Sequence, residues 1–175
     1  MPIPRSWPRV YVAGPDVFRA DAAAHLKGLA TICEAHQLRA VLPADEHEPA
    51  GPQVPPENIA RRIYRENMKR LRSAHGLIAN LAPFRGPEPD SGTVFEVGAA
   101  IMLGLPVVAY GVPSGSYAGR VPSSPDAHGI LRDAAGAAVE DFGLPLNLML
   151  ACSAVIVPTA AEAIQALAVL LYQRK

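Results

Sequence analysis

The sequence predicts one α/β domain: a five-stranded, mostly parallel sheet with helices on both faces. Three observations carry that expectation. Short apolar runs rich in β-branched residues alternate with longer stretches of helical period, the pattern of successive βαβ units. The 175 residues suit a single domain, taken as 1–175, and show no internal repeat. Half of them are hydrophobic, enough to fill a substantial core.

RVYVAG (9–14) reads as a first strand, closed by the turn Gly14-Pro15. Residues 19–36 have helical period, with Ala23, Leu26, Leu29, Ala30 and Cys33 on one face. LRAVLP (38–43) is a second strand, and the proline-rich 45–58 is a loop that no sheet interior accepts. Pro56 and Glu57 suit the first turn of a long helix. That helix turns Ile59, Ile63, Met68 and Leu71 inward and Arg61, Arg62, Arg65, Lys69 and Arg72 outward. GLIANL (76–81) is the third strand, a helix follows over 91–103 up to Gly104, and LPVVAY (105–110) is the fourth strand. The Gly-, Ser- and Pro-containing stretch 111–128 reads as a mobile loop or lid. Short helices are expected over 129–138 and 146–151, a fifth strand over 154–157 and a closing helix over 160–171. The arrangement is flavodoxin- or Rossmann-like. Ligands in such folds sit beyond the carboxyl ends of the strands, which nominates the loops 14–18, 81–93 and 111–128.

Sixteen basic residues balance sixteen acidic ones, so the chain lacks the basic surface of a nucleic-acid binder. Cys33 and Cys152 show no metal-ligand spacing and do not make a disulfide scaffold, which fits a reducing cytoplasm. The first ten residues carry three prolines and no apolar leader, and no run approaches the length of a membrane span. His25, His36, His47, His75 and His128 form neither HxxH nor HExxH, so no metal is expected. VAGPDVF places a proline where a dinucleotide fingerprint needs its second glycine, and no P-loop is present, so no cofactor is expected.

The chemically richest segment is 80–100, NLAPFRGPEPDSGTVFEVGAA, between a strand and a helix. Asp90 stands at the helix start and Glu96 six residues later, so both carboxylates can reach one cavity. Glu96 lies among Val94, Phe95, Val97 and Ala99, where a charge is costly unless it has partners or a task. On spacing alone Asp90 is a helix cap whatever else it does, and the reading of Glu96 as an ordinary surface residue leads. Ser91, ahead of Gly92, can meet a ligand oxygen or simply serve the helix start. Arg85-Gly86 reads evenly as a phosphate contact or as solvated loop.

Four segments resemble the nucleoside 2-deoxyribosyltransferase family, in the family's order: VYVAGPDVF (10–18), RENMKRLRSAHGLIANL (65–81), PFRGPEPDSGTVFEVGAA (83–100) and FGLPLNLML (142–150). The resemblance implies that Glu96 is the nucleophile that attacks C1′ of deoxyribose, that Asp90 holds the sugar and orients Glu96, and that Tyr11 fixes the nucleophile through its hydroxyl. It places Gly14, Asp16 and Phe18 in a loop near the base or sugar, and Ser91 and Gly92 beside the substrate. Asn147 would complete the site of a neighbouring subunit in a homo-oligomer, a dimer or a larger assembly built from dimers. Asn67 stands where some members carry an Asp that contacts the base; His75 and Asn80 also replace common Asp positions. A carboxy-terminal Tyr near the site is a family trait, for which Tyr172 is the candidate. The implied substrates are deoxynucleosides and free nucleobases. A hydrolase of deoxynucleosides or their 5′-monophosphates, favoured by Arg85, and a non-catalytic nucleotide-binding module are the rival readings.

Overall fold

The structure, a computed structural model, describes residues 6–43 and 54–173; most of the expected loop 45–58 lies outside them. The strands β1 (Arg9–Ala13), β2 (Arg39–Val41), β3 (Gly76–Asn80), β4 (Val107–Tyr110) and β5 (Val155–Ile156) form one sheet in the order β2-β1-β3-β4-β5. Every pairing in it is parallel; Tyr11 lies opposite Val41 on one side and Leu77 on the other. The order reverses between β1 and β3, the switch point where open α/β sheets leave a crevice.

The helices α1 (Ala22–Ala35), α2 (Pro56–Ser73), α3 (Ser91–Met102), α4 (Leu148–Ser153) and α5 (Ala160–Gln173) cover both faces. Strand alternation decides which residues meet which layer. Val10, Val12, Ile78 and Val108 pack with Leu29 and Cys33 of α1 and Ile164 and Leu167 of α5. Tyr11, Ala13, Leu77 and Ala79 face the other way, against Met68 and Leu71 of α2, Val97 and Ala100 of α3 and Leu150 of α4. Of the face expected on α1, Ala23 is exposed, whereas Leu26, Leu29, Ala30 and Cys33 turn inward to varying depth. The central strands are buried on both sides, which is why they read as continuous apolar runs.

Three expectations need correction. Residues 129–138 form no helix. Ser124–Pro125 pairs antiparallel with Leu131–Arg132 in a separate hairpin. The Asp126 carboxylate accepts from the His128 and Ile130 N–H groups, and Asp133 accepts from those of Ala135 and Ala137. These local bonds, with Gly129 and Gly136 at positive φ, outcompete helix formation. The helix expected over 146–151 starts two residues later, because Asn147 caps it, its Oδ1 accepting from the Leu150 N–H at 3.2 Å. The stretch 111–128 is tied down rather than loose: Tyr117 N–H donates to Leu144 O at 2.7 Å, and Arg120 donates to the carbonyls of Gly115, Ser116 and Pro145.

Candidate active site

The carboxyl ends of β1 and β3 and the start of α3 converge on an open cleft of about 150 Å³, smaller than the roughly 300–1,000 Å³ usual for small-molecule sites. Glu96, Asp90, Gly92 and Thr93 of the α3 region form one wall. Gly14, Val17 and Phe18 after β1 form another, and Asn67 of α2 and Pro43 beyond β2 complete it.

Beneath the cleft lies Tyr11, fully buried, at the third residue of β1. Its hydroxyl donates to Glu96 Oε1 at 2.6 Å across 85 residues of sequence. Burial holds the phenol far above its ordinary pKa, and the Glu96 carboxylate adds to the effect; nearby Arg70 acts the opposite way. The Tyr11 hydroxyl therefore stays protonated and remains a donor. Burial pushes the Glu96 carboxyl up to about 7; the Tyr11 hydrogen bond pulls it down and the Asp90 charge raises it. A carboxylate poised near neutrality, held by one donor and opening on a cleft, is suited to nucleophilic or acid–base work.

Asp90 is the N-cap of α3. Its Oδ2 accepts from Thr93 N at 2.8 Å and from Thr93 Oγ1 at 2.9 Å, while Oδ1 has no hydrogen-bond partner among the described residues. A Cβ on Gly92 would lie 3.1 Å from Asp90 Oδ2, so glycine keeps the carboxylate's seat open. Capping and site geometry thus coexist in Asp90; the two readings of its spacing are not exclusive.

Asp16 departs from the expectation of a substrate contact. It is buried, does not line the cleft, and its carboxylate belongs to a network of its own. Asn80 Nδ2 donates to both its oxygens at 3.2 and 3.0 Å, His25 Nε2 lies 3.2 Å from Oδ1, and the Tyr110 hydroxyl is 3.5 Å from Oδ2. The Asn80 amide is clasped between glycines: added Cβ atoms would come within 2.8 Å of Asn80 Cβ at Gly14 and within 2.6 Å of Asn80 Oδ1 at Gly111, whose φ is +75°. This network locks the ends of β1, β3 and β4 together below the substrate side. Its members were invisible in the sequence, since Asp16, Asn80 and Tyr110 lie far apart in the chain.

Ser91 is exposed at the first turn of α3 and does not line the cleft. Asn147 is likewise absent from the cleft wall of its own chain. Tyr172 is removed from it altogether: its hydroxyl donates to Gln37 O at 2.9 Å, ahead of β2, at the amino-terminal end of the strands. Phe18 is exposed at the cleft and stacks on Phe84, a partner that sequence reasoning missed. Among the described residues, no group of three or more His, Cys, Asp or Glu side chains is placed to hold a metal ion, and no helix is long and apolar enough to cross a membrane.

The sequence profile of the family described as nucleoside 2-deoxyribosyltransferase matches residues 10–149. An uncharacterized protein of Schizosaccharomyces pombe is 31% identical over 121 residues, 69% of this chain and 57% of that protein, so the match spans little more than half the curated relative's length. Among solved structures, the chain is similar to a 2-desoxiribosyltransferase from Leishmania mexicana, with 28% identity and a TM-score of 0.72 over 92% of this chain and 97% of the other. The fold alone is shared with a 2-deoxyribosyltransferase from Bacillus psychrosaccharolyticus, 17% identical with a TM-score of 0.56 over 88% of each chain. It is shared too with a conserved protein from Enterococcus faecalis V583, 20% identical with a TM-score of 0.61 over 97% of this chain and 100% of the other. The chain belongs to the nucleoside 2-deoxyribosyltransferase family.

Proposed function

We propose that this chain transfers 2-deoxyribose between nucleobases, with Glu96 carrying the sugar as a covalent ester. The observation that supports it most is the buried Tyr11–Glu96 hydrogen bond, opening on a cleft that Asp90 shares. In the first half-reaction the C1′–N bond breaks with its electron pair passing to the base, while a Glu96 oxygen closes on C1′ from the opposite face. The departing base takes up a proton from water. A second base, losing its N–H proton to water, then attacks C1′ from the vacated face and the C1′–O bond returns its electrons to Glu96. Two inversions retain the β configuration. Asp90 holds a sugar hydroxyl through Oδ1, and Tyr11 fixes which Glu96 oxygen points at C1′. A 2′-hydroxyl would crowd the Tyr11–Glu96 pair, which favours deoxyribose. Gly14, Phe18, Asn67 and Gly92 shape the rest of the substrate's seat.

The substrates in this reading are deoxynucleosides and free bases. The charged side chains in the cleft wall are Asp90 and Glu96, a poor setting for a 5′-phosphate dianion. In this reading the site is shared between subunits: the rings of Tyr64 on α2 and Phe95 on α3 meet, and these two with Met102 and Met149 are exposed apolar side chains that a second copy would cover. Asn147 caps α4, and its amide nitrogen has no hydrogen-bond partner among the described residues of its own chain.

Incubating deoxyinosine with and without free adenine, followed by chromatography, tests the assignment. New deoxyadenosine supports transfer. Hypoxanthine released without an acceptor indicates a hydrolase instead, and no reaction in either tube leaves a binding module.

A further inference from the structure

Beside the cleft, the segment 83–89 is pinched into a tight loop by a bridge between Pro83 and Pro89 and by Phe84 N–H donating to Glu88 O at 2.9 Å. At its tip Arg85 has φ +57°, a left-handed conformation that residues other than glycine seldom adopt. That backbone lays the guanidinium over aromatic rings: its central carbon is 4.7 Å from the Phe84 centroid and 5.5 Å from that of Phe18. The two rings are themselves stacked, 5.4 Å apart and inclined by 19°. Phe18 belongs to the cleft wall. The Arg85 fork makes no hydrogen bond or ion pair with the described residues; the side chain lies exposed on the ring faces, its N–H donors open to solvent or to a ligand.

We propose that Arg85 is a specificity-determining residue that selects 6-oxopurine bases. The proposal rests on the transfer reading and adds the class of base to it. A base stacked against Phe18 brings its edge toward the guanidinium. Hypoxanthine and guanine present two acceptors there, O6 and N7, in the spacing that the arginine fork matches bidentately. Adenine keeps N7 but sets its N6 amino donors against the guanidinium, and cytosine does the same with N4. Uracil and thymine present one carbonyl, O4, on that edge. Asn67, the amide in the cleft wall, is uncharged and leaves the sign of the recognition to Arg85.

The test is a competition. Unsubstituted purine 2′-deoxyriboside serves as donor to equimolar hypoxanthine and adenine, and the ratio of deoxyinosine to deoxyadenosine is read by chromatography. Wild type is expected to favour deoxyinosine about tenfold, the order a bidentate arginine–base contact gives. Arg85→Met keeps an apolar stem on the rings and should bring the ratio close to one, with Arg85→Lys between. A ratio that Arg85→Met leaves unchanged, or a wild type that favours adenine, overturns the proposal. So does a second arm, deoxyinosine against its 5′-monophosphate as donor, if the variant loses only the monophosphate: the fork would then serve a phosphate. Should no base accept the sugar, the transfer reading fails on its own. Calorimetric binding of free hypoxanthine and adenine to wild type and Arg85→Met then decides the base preference separately.

Discussion

Replacing Glu96 by Gln should make the protein more stable and inactive at once, and the gain should depend on pH. Glu96→Gln keeps the shape and an oxygen that accepts the Tyr11 hydroxyl, so it mimics the protonated acid. In the folded chain that acid titrates near 7 rather than at its ordinary 4.5, because burial disfavours the charge. The folded state therefore holds a proton that the unfolded state has already released between those pH values, and wild-type stability falls as pH rises from about 4.5 through about 7. At 1.36 kcal/mol per tenfold, the full difference is about 3 kcal/mol, which Glu96→Gln removes. Above pH 8 the variant should be about 2–3 kcal/mol more stable, a Tm gain of roughly 4–12 °C for a chain of this size. Near pH 4.5 the two proteins should melt together. Thermal unfolding followed by circular dichroism over pH 4.5–8.5 measures both curves. A Tm difference that is absent, or the same at every pH, would show that the Glu96 charge is not held in a desolvated place, and the reasoning about its reactivity would fall with it.

Three further expectations concern the same cluster. Tyr11→Phe removes the hydrogen bond that lowers the Glu96 pKa, so the rising limb of the pH–rate profile should move to higher pH, with transfer at pH 7 down about tenfold or more. Asp90→Asn should move that limb to lower pH, since the Asp90 charge raises Glu96; turnover should still fall about tenfold or more while Tm barely changes, because Asn caps a helix nearly as well as Asp. Wild-type turnover in Asp90→Asn would reduce Asp90 to a cap. Co-refolding inactive Glu96→Ala with inactive Asn147→Ala should restore part of the activity, because mixed oligomers contain sites with both residues intact; silence from verified mixed oligomers would sink the shared site.

The sheet was legible because each strand is a short apolar run buried on both sides, and the start of α2 because proline and glutamate at Pro56-Glu57 suit a first turn. The hairpin at 124–132 was not. Ala- and Leu-containing residues at 129–138 look helical until Asp126 and Asp133 are seen to bond neighbouring N–H groups. Two carboxylates of one loop-and-helix segment, Asp90 and Glu96, could be placed together from spacing. Tyr11 could not be joined to Glu96 that way; only family resemblance suggested the pairing, and the parallel register of β1 beneath α3 is what produces it. Asp16 shows the limit most clearly. A polar residue in a loop beside the site reads as a ligand contact, but partners from α1, β3 and β4 turn it inward, and that choice depends on tertiary neighbours alone.

The proposed mechanism stands on a covalent bond between Glu96 and the sugar. Wild type and Glu96→Ala, each incubated with a 2′-fluoro-2′-deoxynucleoside, should be compared by intact-mass measurement and then by peptide mapping. Fluorine at C2′ slows both glycosyl steps by destabilising positive charge at C1′, so an ester formed on the enzyme can accumulate. One added fluoro-deoxyribosyl group is expected on wild type, mapped to Glu96, with no addition on Glu96→Ala and a loss of turnover of at least ~10³-fold in that variant. Addition at another residue, or near-normal turnover by Glu96→Ala, would contradict it.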